Sequence, residues 1–235
     1  MPAFRRALLP TYKAARKSKL DEDERAEFHQ QQAWLEENLP AFGVGWMRFA
    51  GWEADDVLAW SAGRKRAEGK QVVVLSGDRD MWQLVADRVS VLMPDGSDPI
   101  TLETFPKRAR FPSPMHWFRY RVLSGDASDG IPGVGQIGDK RARELVLERG
   151  WPVKGSVPTG WWAMRHGTVA RNQQLMDLRH AAGRLDLVKP EPGERICVGP
   201  SRDLTAARRA LGAAGMDTLL ATWATWSEPF RRLGR

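Results

Sequence analysis

Apolar runs and helix-like segments alternate along the first half of the chain. The continuous apolar run at 71–76 is of the kind buried in a parallel sheet, and shorter runs at 44–50 and 89–93 predict two further strands. One helix-like segment begins at about residue 53, and another covers 111–123. The pattern therefore predicts strands of a parallel sheet that are separated by helices.

The rest of the chain predicts further helices and a long connection. Residues 21–39 form a helix-like segment that begins at the N-cap Asp21. A linker-like loop is predicted at 151–162 and a helix at 170–188. Two apolar, arginine-bearing helical stretches complete the tail. We find no internal repeat.

Acidic side chains are concentrated in three short segments beside these elements. They are Glu53, Asp55 and Asp56, then Asp78 and Asp80, and finally Asp126 and Asp129. Acids at a helix start complement its dipole, and an Asp after a strand is a common N-cap. However, three carboxylates in one turn repel one another, which favours a bound cation. Asp78 and Asp80 also follow a strand, where ligands gather in open α/β sheets.

A glycine-rich run follows the last acidic pair at once. It holds Gly130, Gly133, Gly135 and Gly138 and leads into a basic helix-like segment with Lys140, Arg141 and Arg143. Glycines let backbone N–H groups approach an anion closely, and a helix start adds a partial positive charge. An acidic pair beside such a loop indicates a metal site next to a bound nucleic-acid backbone.

The first 20 residues are basic and contain no acid. Two interpretations remain open for this segment, which includes Arg5, Tyr12, Lys13 and Arg16. It is either a solvated or disordered basic arm, or it grips phosphates while Tyr12 stacks on a base.

Composition excludes some classes of protein but does not identify a function. The net charge of +7 and the isoelectric point near 9.9 fit a polyanionic partner but do not establish one. Cys197 is the single cysteine, which excludes an internal disulfide framework and a cysteine-based zinc site. There is no apolar run of membrane-spanning length and no signal-peptide pattern. We therefore expect a cytoplasmic protein without a membrane partner.

The seven carboxylates define the predicted chemistry. Ligation by oxygen alone favours Mg²⁺ or Mn²⁺ over zinc. Two such ions about 4 Å apart can activate a water, stabilise the leaving oxygen and clamp a phosphodiester. The sequence therefore predicts a metal-dependent nuclease.

Three ordered segments resemble the signature blocks of the 5′–3′ exonuclease and flap endonuclease family. They are EADDVLA at 53–59, LSGDRDMWQLV at 75–85 and GDASDGIPGVGQIGDKRARELV at 125–146. The segments at 4–17 and 171–178 are similar to two others of this family, which includes the DNA polymerase I nuclease domain and phage enzymes. The resemblance implies an α/β, PIN-like fold with a mostly parallel central sheet and flanking helices. It further implies an arch and nuclease core at 1–112, a helix–three-turn–helix duplex-binding region at 113–190, and C-terminal helices packing on the core at 191–235.

The resemblance also implies roles for individual residues. Asp55, Asp56 and Asp78, with Glu53 close by, fall at positions serving the first metal, and Asp78, Asp80, Asp126 and Asp129 at those serving the second. Lys13 and Arg16 match residues that reach the scissile phosphate, and Tyr12 matches a possible stacking partner. Gly130–Gly138 matches a loop that often holds a monovalent cation, here K⁺. The implied substrate is DNA with a 5′ flap, nick or RNA-primer end, in replication or repair.

The sequence departs from the family at its start. Family members begin with two aspartate-bearing strands ahead of the segment at 4–17, so we expect an N-terminally incomplete fold with an unpaired apolar sheet edge. Either the working protein is longer, or an upstream polypeptide supplies the strands, or the protein binds branched DNA without cutting it. Two rival classes are a non-catalytic duplex-binding module and an RNA-cleaving domain of the related small nuclease fold.

Overall fold

The computed structural model describes residues 2–15, 21–135, 137–148, 165–185, 195–197 and 202–232. Among the predictions, Arg16, the loop at 151–162 and residues 186–188 of the predicted helix at 170–188 lie outside these residues. The chain divides into two compact units. Unit 1 comprises residues 1–17 and 51–189, and unit 2 comprises residues 18–50 and 190–235. The predicted boundaries at 112 and 190 divide the chain by expected function, and they stay a prediction.

Helices dominate the described residues. In chain order they are α1 (Ala3–Leu8), α2 (Glu22–Asn38), α3 (Ala54–Ala67), α4 (Phe105–Ala109), α5 (Pro114–Ser124), α6 (Asp139–Glu148), α7 (His166–Met176), α8 (Leu178–Leu185), α9 (Leu204–Ala213), α10 (Asp217–Ala221) and α11 (Trp223–Arg232). The strands are β1 (Trp46–Arg48), β2 (Val72–Leu75), β3 (Val89–Leu92) and β4 (Arg195–Cys197). Short 3₁₀ turns cover Leu39–Phe42, Arg79–Leu84 and Ala127–Asp129. None of the described helices is long and apolar enough to span a bilayer.

The strands of unit 1 form the predicted parallel pair. β2 and β3 pair in parallel, with Val72 opposite Val89 and Leu75 opposite Leu92. Val74 is 4% exposed, whereas Val73 and Leu75 are 60% and 65% exposed. The prediction that the whole run at 71–76 is buried is therefore wrong for one face. The cause is strand geometry: alternate side chains point to opposite faces, and only one face of β2 is packed in the described part of unit 1.

Two clusters of apolar side chains form the core of unit 1. One surrounds Met81, Val91 and Phe105 and joins β2 and β3 to the turn that follows β2. The other surrounds Val122 and Val134 and joins α5, α6 and α7 to the glycine-rich loop. Both clusters border α5, so this helix is fixed on two sides. The segments that bear the candidate site residues are thus anchored to packed elements.

Unit 2 has its own small core. The predicted helix at 21–39 forms as α2, and Asp21 caps it by accepting a hydrogen bond from the Glu24 backbone N–H at 2.9 Å. The predicted strand at 44–50 forms as β1, which pairs antiparallel with β4. Ala207, Leu211 and Trp223 are the buried residues at the centre of this unit.

Candidate active site

Five aspartates from three separate segments line one cavity of about 590 Å³ in unit 1. They are Asp55 in the first turn of α3, Asp78 and Asp80 after β2, and Asp126 and Asp129 after α5. Lys13, Arg79 and Arg121 supply the basic side chains of its wall, and Trp117 and Tyr120 supply aromatic rings. The structure thus brings together five of the seven predicted carboxylates.

Two of these aspartates are held by tight turns. The Asp78 carboxylate accepts from the Asp80 backbone N–H at 2.8 Å, and the Asp126 carboxylate accepts from the Ser128 N–H at 2.8 Å and hydroxyl at 2.7 Å. Each aspartate therefore caps a 3₁₀ turn. Of the two aspartates that follow β2, Asp78 is the cap, and the Asp80 side chain is directed to Arg121.

Asp56 does not line the cavity. Its side chain is fully buried, and its two oxygens accept from Arg5 Nη1 at 2.7 Å and Arg5 Nη2 at 2.6 Å. Arg5 is itself 2% exposed and also donates to the Leu175 carbonyl at 2.9 Å. In this structure Asp56 is a buried ion-pair partner rather than an accessible metal ligand. Arg5, predicted to contact DNA, is likewise enclosed.

Glu53 lies between Arg5 and the cavity wall. It accepts from Lys13 Nζ at 2.7 Å, from the Tyr12 hydroxyl at 2.9 Å and from Arg5 Nη1 at 3.1 Å. Burial opposes its ionisation, but the Lys13 hydrogen bond and the Arg5 charge hold the pKa of Glu53 below its ordinary value. Glu53 therefore binds the N-terminal basic residues Arg5 and Lys13 in this structure.

Tyr12 packs in the core next to Glu53. Its side chain is 4% exposed, so its ring offers no open face on which a base could stack in this conformation. Burial and the neighbouring Glu53 raise the pKa of Tyr12. Lys13 adopts a left-handed backbone conformation with φ of 54° and places Nζ 3.5 Å from an Asp129 oxygen. Of the three predicted N-terminal contacts that the structure describes, Lys13 alone reaches the cavity.

The cavity holds more negative charge than its basic residues balance. Burial and the neighbouring Asp78 raise the pKa of Asp55. Burial and the charges of Asp78 and Asp126 raise the pKa of Asp80 to about 6, although Arg121 opposes them. Burial also opposes the ionisation of Asp126, but the Ser128 hydroxyl and Arg121 hold the pKa of that carboxyl below its ordinary value. A cation beside Asp55, Asp78 and Asp80 would relieve this repulsion.

The glycine-rich loop is shaped by close backbone contacts. A Cβ atom on Gly133 would lie 2.6 Å from the Ser124 carbonyl oxygen, so this position admits only glycine in this conformation. A Cβ on Gly135 or Gly138 would meet nothing within 4 Å. The last two glycines thus face open space next to Lys140 and Arg141, which are exposed at the start of α6. Open backbone beside basic side chains fits an approaching phosphate.

Two residues of the site were missed in the sequence. Arg121 lies between Asp80 and Asp126, but it belongs to the helix-like segment at 111–123, in which no candidate site residue was predicted. Asn172 is fully buried and donates to the carbonyls of Val122 and Pro132 at 3.0 and 2.9 Å, which ties the glycine-rich loop to α5. For Asn172, the signal was a polar residue on the apolar face of a predicted helix.

The donor chemistry of the cavity fits divalent ions such as Mg²⁺ or Mn²⁺. Its five carboxylates offer oxygen ligands alone, and burial together with neighbouring carboxylates raises the pKa values of Asp55 and Asp80. Among the described residues, however, no three acidic, histidine or cysteine side chains converge closely enough to hold an ion as they stand. Part of the reason is that Arg121 and Lys13 already occupy carboxylate oxygens. Ligation would need side-chain rearrangement.

Comparison with known proteins finds one matching family and several similar polymerases. Residues 1–109 match the family described as the 5′-3′ exonuclease, N-terminal resolvase-like domain. The thermostable DNA polymerase I of Thermus filiformis is 40% identical over 149 residues, which are 63% of this chain and 17% of that protein. DNA polymerase I of Mycobacterium tuberculosis is 35% identical over 188 residues, which are 74% of this chain and 20% of that protein. The chain therefore spans about a fifth of the length of these curated relatives.

Solved structures of bacteriophage T5 proteins share the fold. The T5 D15 protein co-crystallised with metal ions has a TM-score of 0.61 at 24% identity, over 77% of this chain and 72% of that one. A D15 flap endonuclease pseudo-enzyme–product complex with DNA and metal ions has a TM-score of 0.60 at 21% identity, over 93% of this chain and 76% of that one. At these identities the likeness establishes the α/β 5′-nuclease fold alone. The predicted fold class and the predicted family resemblance are confirmed.

Proposed function

We propose that the protein is a metal-dependent 5′–3′ exonuclease or structure-specific flap endonuclease that hydrolyses phosphodiester bonds at 5′ ends, flaps or RNA primers of branched DNA. The observation that carries this proposal is the convergence of five aspartates from three separated segments on one cavity. The family match and the polymerase relatives support a 5′ nuclease. Replication or repair is the setting that such substrates imply.

The side chains of the cavity divide the work of this reaction. Asp55, Asp78, Asp80, Asp126 and Asp129 would hold two divalent ions, Mg²⁺ or Mn²⁺, which supply Lewis-acid stabilisation of the phosphodiester and lower the pKa of a bound water. Lys13, which lines the cavity, would contact the phosphate under attack. Arg16 has the same proposed role by resemblance. Asp56 and Glu53 would act indirectly, by fixing Arg5 and Lys13.

The glycine-rich loop and α6 would bind the duplex beside the break. The exposed backbone of Gly135 and Gly138, with Gly133 shaping the turn, would approach the phosphates, and Lys140 and Arg141 would add charge contacts. A K⁺ ion on loop carbonyls would extend this contact. Two of those carbonyls, at Pro132 and Gly135, already accept hydrogen bonds from Asn172 and Arg165.

Cleavage of a labelled 5′-flap DNA with Mg²⁺ or Mn²⁺ tests the proposal. We expect Asp78→Asn and Asp126→Asn to lower kcat at least about 100-fold, because each removes a proposed ion ligand. The matched control is Asp87→Asn, which changes an aspartate with a side chain 76% exposed and outside the cavity. Full activity in both cavity variants would contradict the proposal. Single-stranded RNA in the same assay tests the RNA-cleaving alternative.

A second candidate is a non-catalytic protein that binds branched DNA. It is favoured by the pairing of candidate ligands with protein cations: Asp56 with Arg5, Glu53 with Lys13, and Asp80 and Asp126 with Arg121. It predicts salt-sensitive flap binding that survives EDTA and Asp78→Asn, with no cleavage. The comparisons give no support to the predicted upstream polypeptide, which stays a prediction.

A further inference from the structure

The guanidinium group of Arg121 lies between two carboxylates of the cavity. Arg121 Nη2 is 2.5 Å from Asp126 Oδ2 and 3.1 Å from Asp80 Oδ1, and Nε donates to the same Asp80 oxygen at 3.2 Å. Asp80 belongs to the turn after β2 and Asp126 caps the turn after α5. A single arginine therefore joins two of the three aspartate-bearing segments that line the cavity.

An ion shared by the same two carboxylates would compete with Arg121 for their oxygens. A divalent ion bridging Asp80 and Asp126 would bind their oxygens at about 2.0–2.6 Å. Arg121 Nη2 already contacts one oxygen of each carboxylate, Asp126 Oδ2 and Asp80 Oδ1. The Arg121 guanidinium and an ion therefore cannot occupy this pair of oxygens at the same time.

We propose that Arg121 is a positioning residue that stands in for a divalent ion at Asp80 and Asp126, and that binding of an ion there displaces its guanidinium group. The proposal rests on the proposed metal site and adds a competitor to it. In the metal-free protein the arginine keeps two carboxylates from repelling each other and so preserves the cavity. It also lowers the affinity for the ion, because the ion must first break these contacts.

The displaced side chain has a second contact within the cavity. The Arg121 guanidinium carbon is 5.9 Å from the centroid of the Trp117 ring, and both residues line the cavity. A guanidinium over an indole face gains a favourable cation–π interaction. Movement toward Trp117 would free the two carboxylates while the positive charge stays in the cavity wall.

Titration of the full chain with Mn²⁺, followed by calorimetry without DNA, tests the proposal. We expect Arg121→Gln to bind Mn²⁺ about tenfold more tightly than the wild type, and to melt at a lower temperature in EDTA. The matched control is Arg108→Gln, which removes an exposed arginine 3.1 Å from Asp95 and outside the cavity. It should leave Mn²⁺ affinity unchanged. Arg121→Lys should fall between wild type and Arg121→Gln, because an ammonium group lacks the planar fork.

The outcomes separate this proposal from the proposed function. Wild-type Mn²⁺ binding that is unchanged or weakened in folded Arg121→Gln overturns the role of Arg121 alone. If Arg121→Gln does not fold, Arg121→Lys decides, and an affinity no higher than that of the wild type overturns the proposal. Absence of Mn²⁺ binding in every variant overturns both this proposal and metal-dependent cleavage. Tighter binding in Arg121→Gln with no flap cleavage by the wild type supports the role of Arg121 and contradicts nuclease function.

Discussion

Arg5 and Asp56 form a buried, two-pronged ion pair between the first helix and the helix that follows β1. The two terminal nitrogens of Arg5 lie 2.7 and 2.6 Å from the two carboxylate oxygens of Asp56, and the residues are 2% and 0% exposed. The geometry satisfies both oxygens at once, as parallel N–H···O bonds do. The pair therefore fastens the N-terminal segment, which carries Lys13 into the cavity, to the core of unit 1.

Breaking this ion pair should destabilise the protein strongly. We expect Arg5→Met to lower the free energy of unfolding by about 3–5 kcal/mol, because Asp56 keeps a buried charge without its partner. Chemical denaturation measures the change. The control is Arg6→Met, which alters the neighbouring exposed arginine and should shift stability by about 0.5 kcal/mol or less. A loss below about 1 kcal/mol for Arg5→Met would show that the pair is not a main anchor.

The two kinds of glycine in the loop should respond differently to alanine. A Cβ at Gly133 meets the Ser124 carbonyl oxygen at 2.6 Å, so Gly133→Ala must shift the backbone and should cost about 1–3 kcal/mol. A Cβ at Gly135 meets open space, so Gly135→Ala should fold normally. If the loop binds phosphates, Gly135→Ala should still weaken duplex binding, because the methyl group stands where the backbone would approach the anion. Thermal melting and duplex titration separate the two effects.

The comparison of the two alanine variants tests these predictions for the loop. Equal loss of stability in both alanine variants would contradict the close contact at Gly133. Unchanged duplex affinity in Gly135→Ala would remove the main structural support for phosphate binding at this loop.

Asn172 should hold the loop in place for binding. Its amide donates to the Val122 and Pro132 carbonyls, so Asn172→Ala leaves two acceptors without this partner and should cost about 2 kcal/mol or more. Duplex affinity should fall as well, because Pro132 lies in the loop. Gln174→Ala, at an exposed position of the same helix, is the control and should change neither quantity. Normal duplex binding by Asn172→Ala would mean that the loop is held by its other contacts.

The sequence predicts the segments of this site better than the direction of each side chain. Asp55 and Asp56 are adjacent, but successive residues on a helix point about 100° apart, so one lines the cavity and the other faces Arg5. Periodicity locates both on α3 and cannot show which face meets a buried arginine from a distant segment. The same limit hid Arg121, since its partners come from other elements.

Loop backbones set a second limit. Glycine density predicts a loop that can approach an anion, and the structure places Gly135 and Gly138 beside open space. The steric demand at Gly133 depends on how closely the Ser124 carbonyl packs, which local sequence does not encode. β1, β2 and β3 were located because their patterns are local, whereas β4 was missed and the exposure of Val73 depends on what covers the sheet.

Deprotonation of Asp80 should make the metal-free protein less stable as the pH rises. The pKa of Asp80 is about 6 in the folded protein against an ordinary 3.8, so between these values the folded state holds a proton that the unfolded chain releases. Raising the pH through this window therefore favours unfolding, and the loss is complete above about pH 7. The melting temperature of the wild type in EDTA, relative to that of Asp80→Asn, should fall between about pH 4 and 6 and then level off. Asp126 acts with the opposite sign at lower pH, since its pKa is depressed and its stabilisation is lost on acidification.

Divalent ions should reverse this trend if they bind beside Asp80. An ion competes with the proton, so Mn²⁺ should raise the wild-type melting temperature more at pH 7 than at pH 5, and the difference should shrink in Asp80→Asn. Asp87→Asn, outside the cavity, should follow the wild type at both pH values. A Mn²⁺ effect that is equal at pH 5 and 7 would show that the ion does not draw on the Asp80 carboxylate. Stabilisation that survives intact in Asp80→Asn would place the binding on other ligands. Asp55 and Asp78 would then be the first candidates, because this acidic pair has the fewest protein cations beside it.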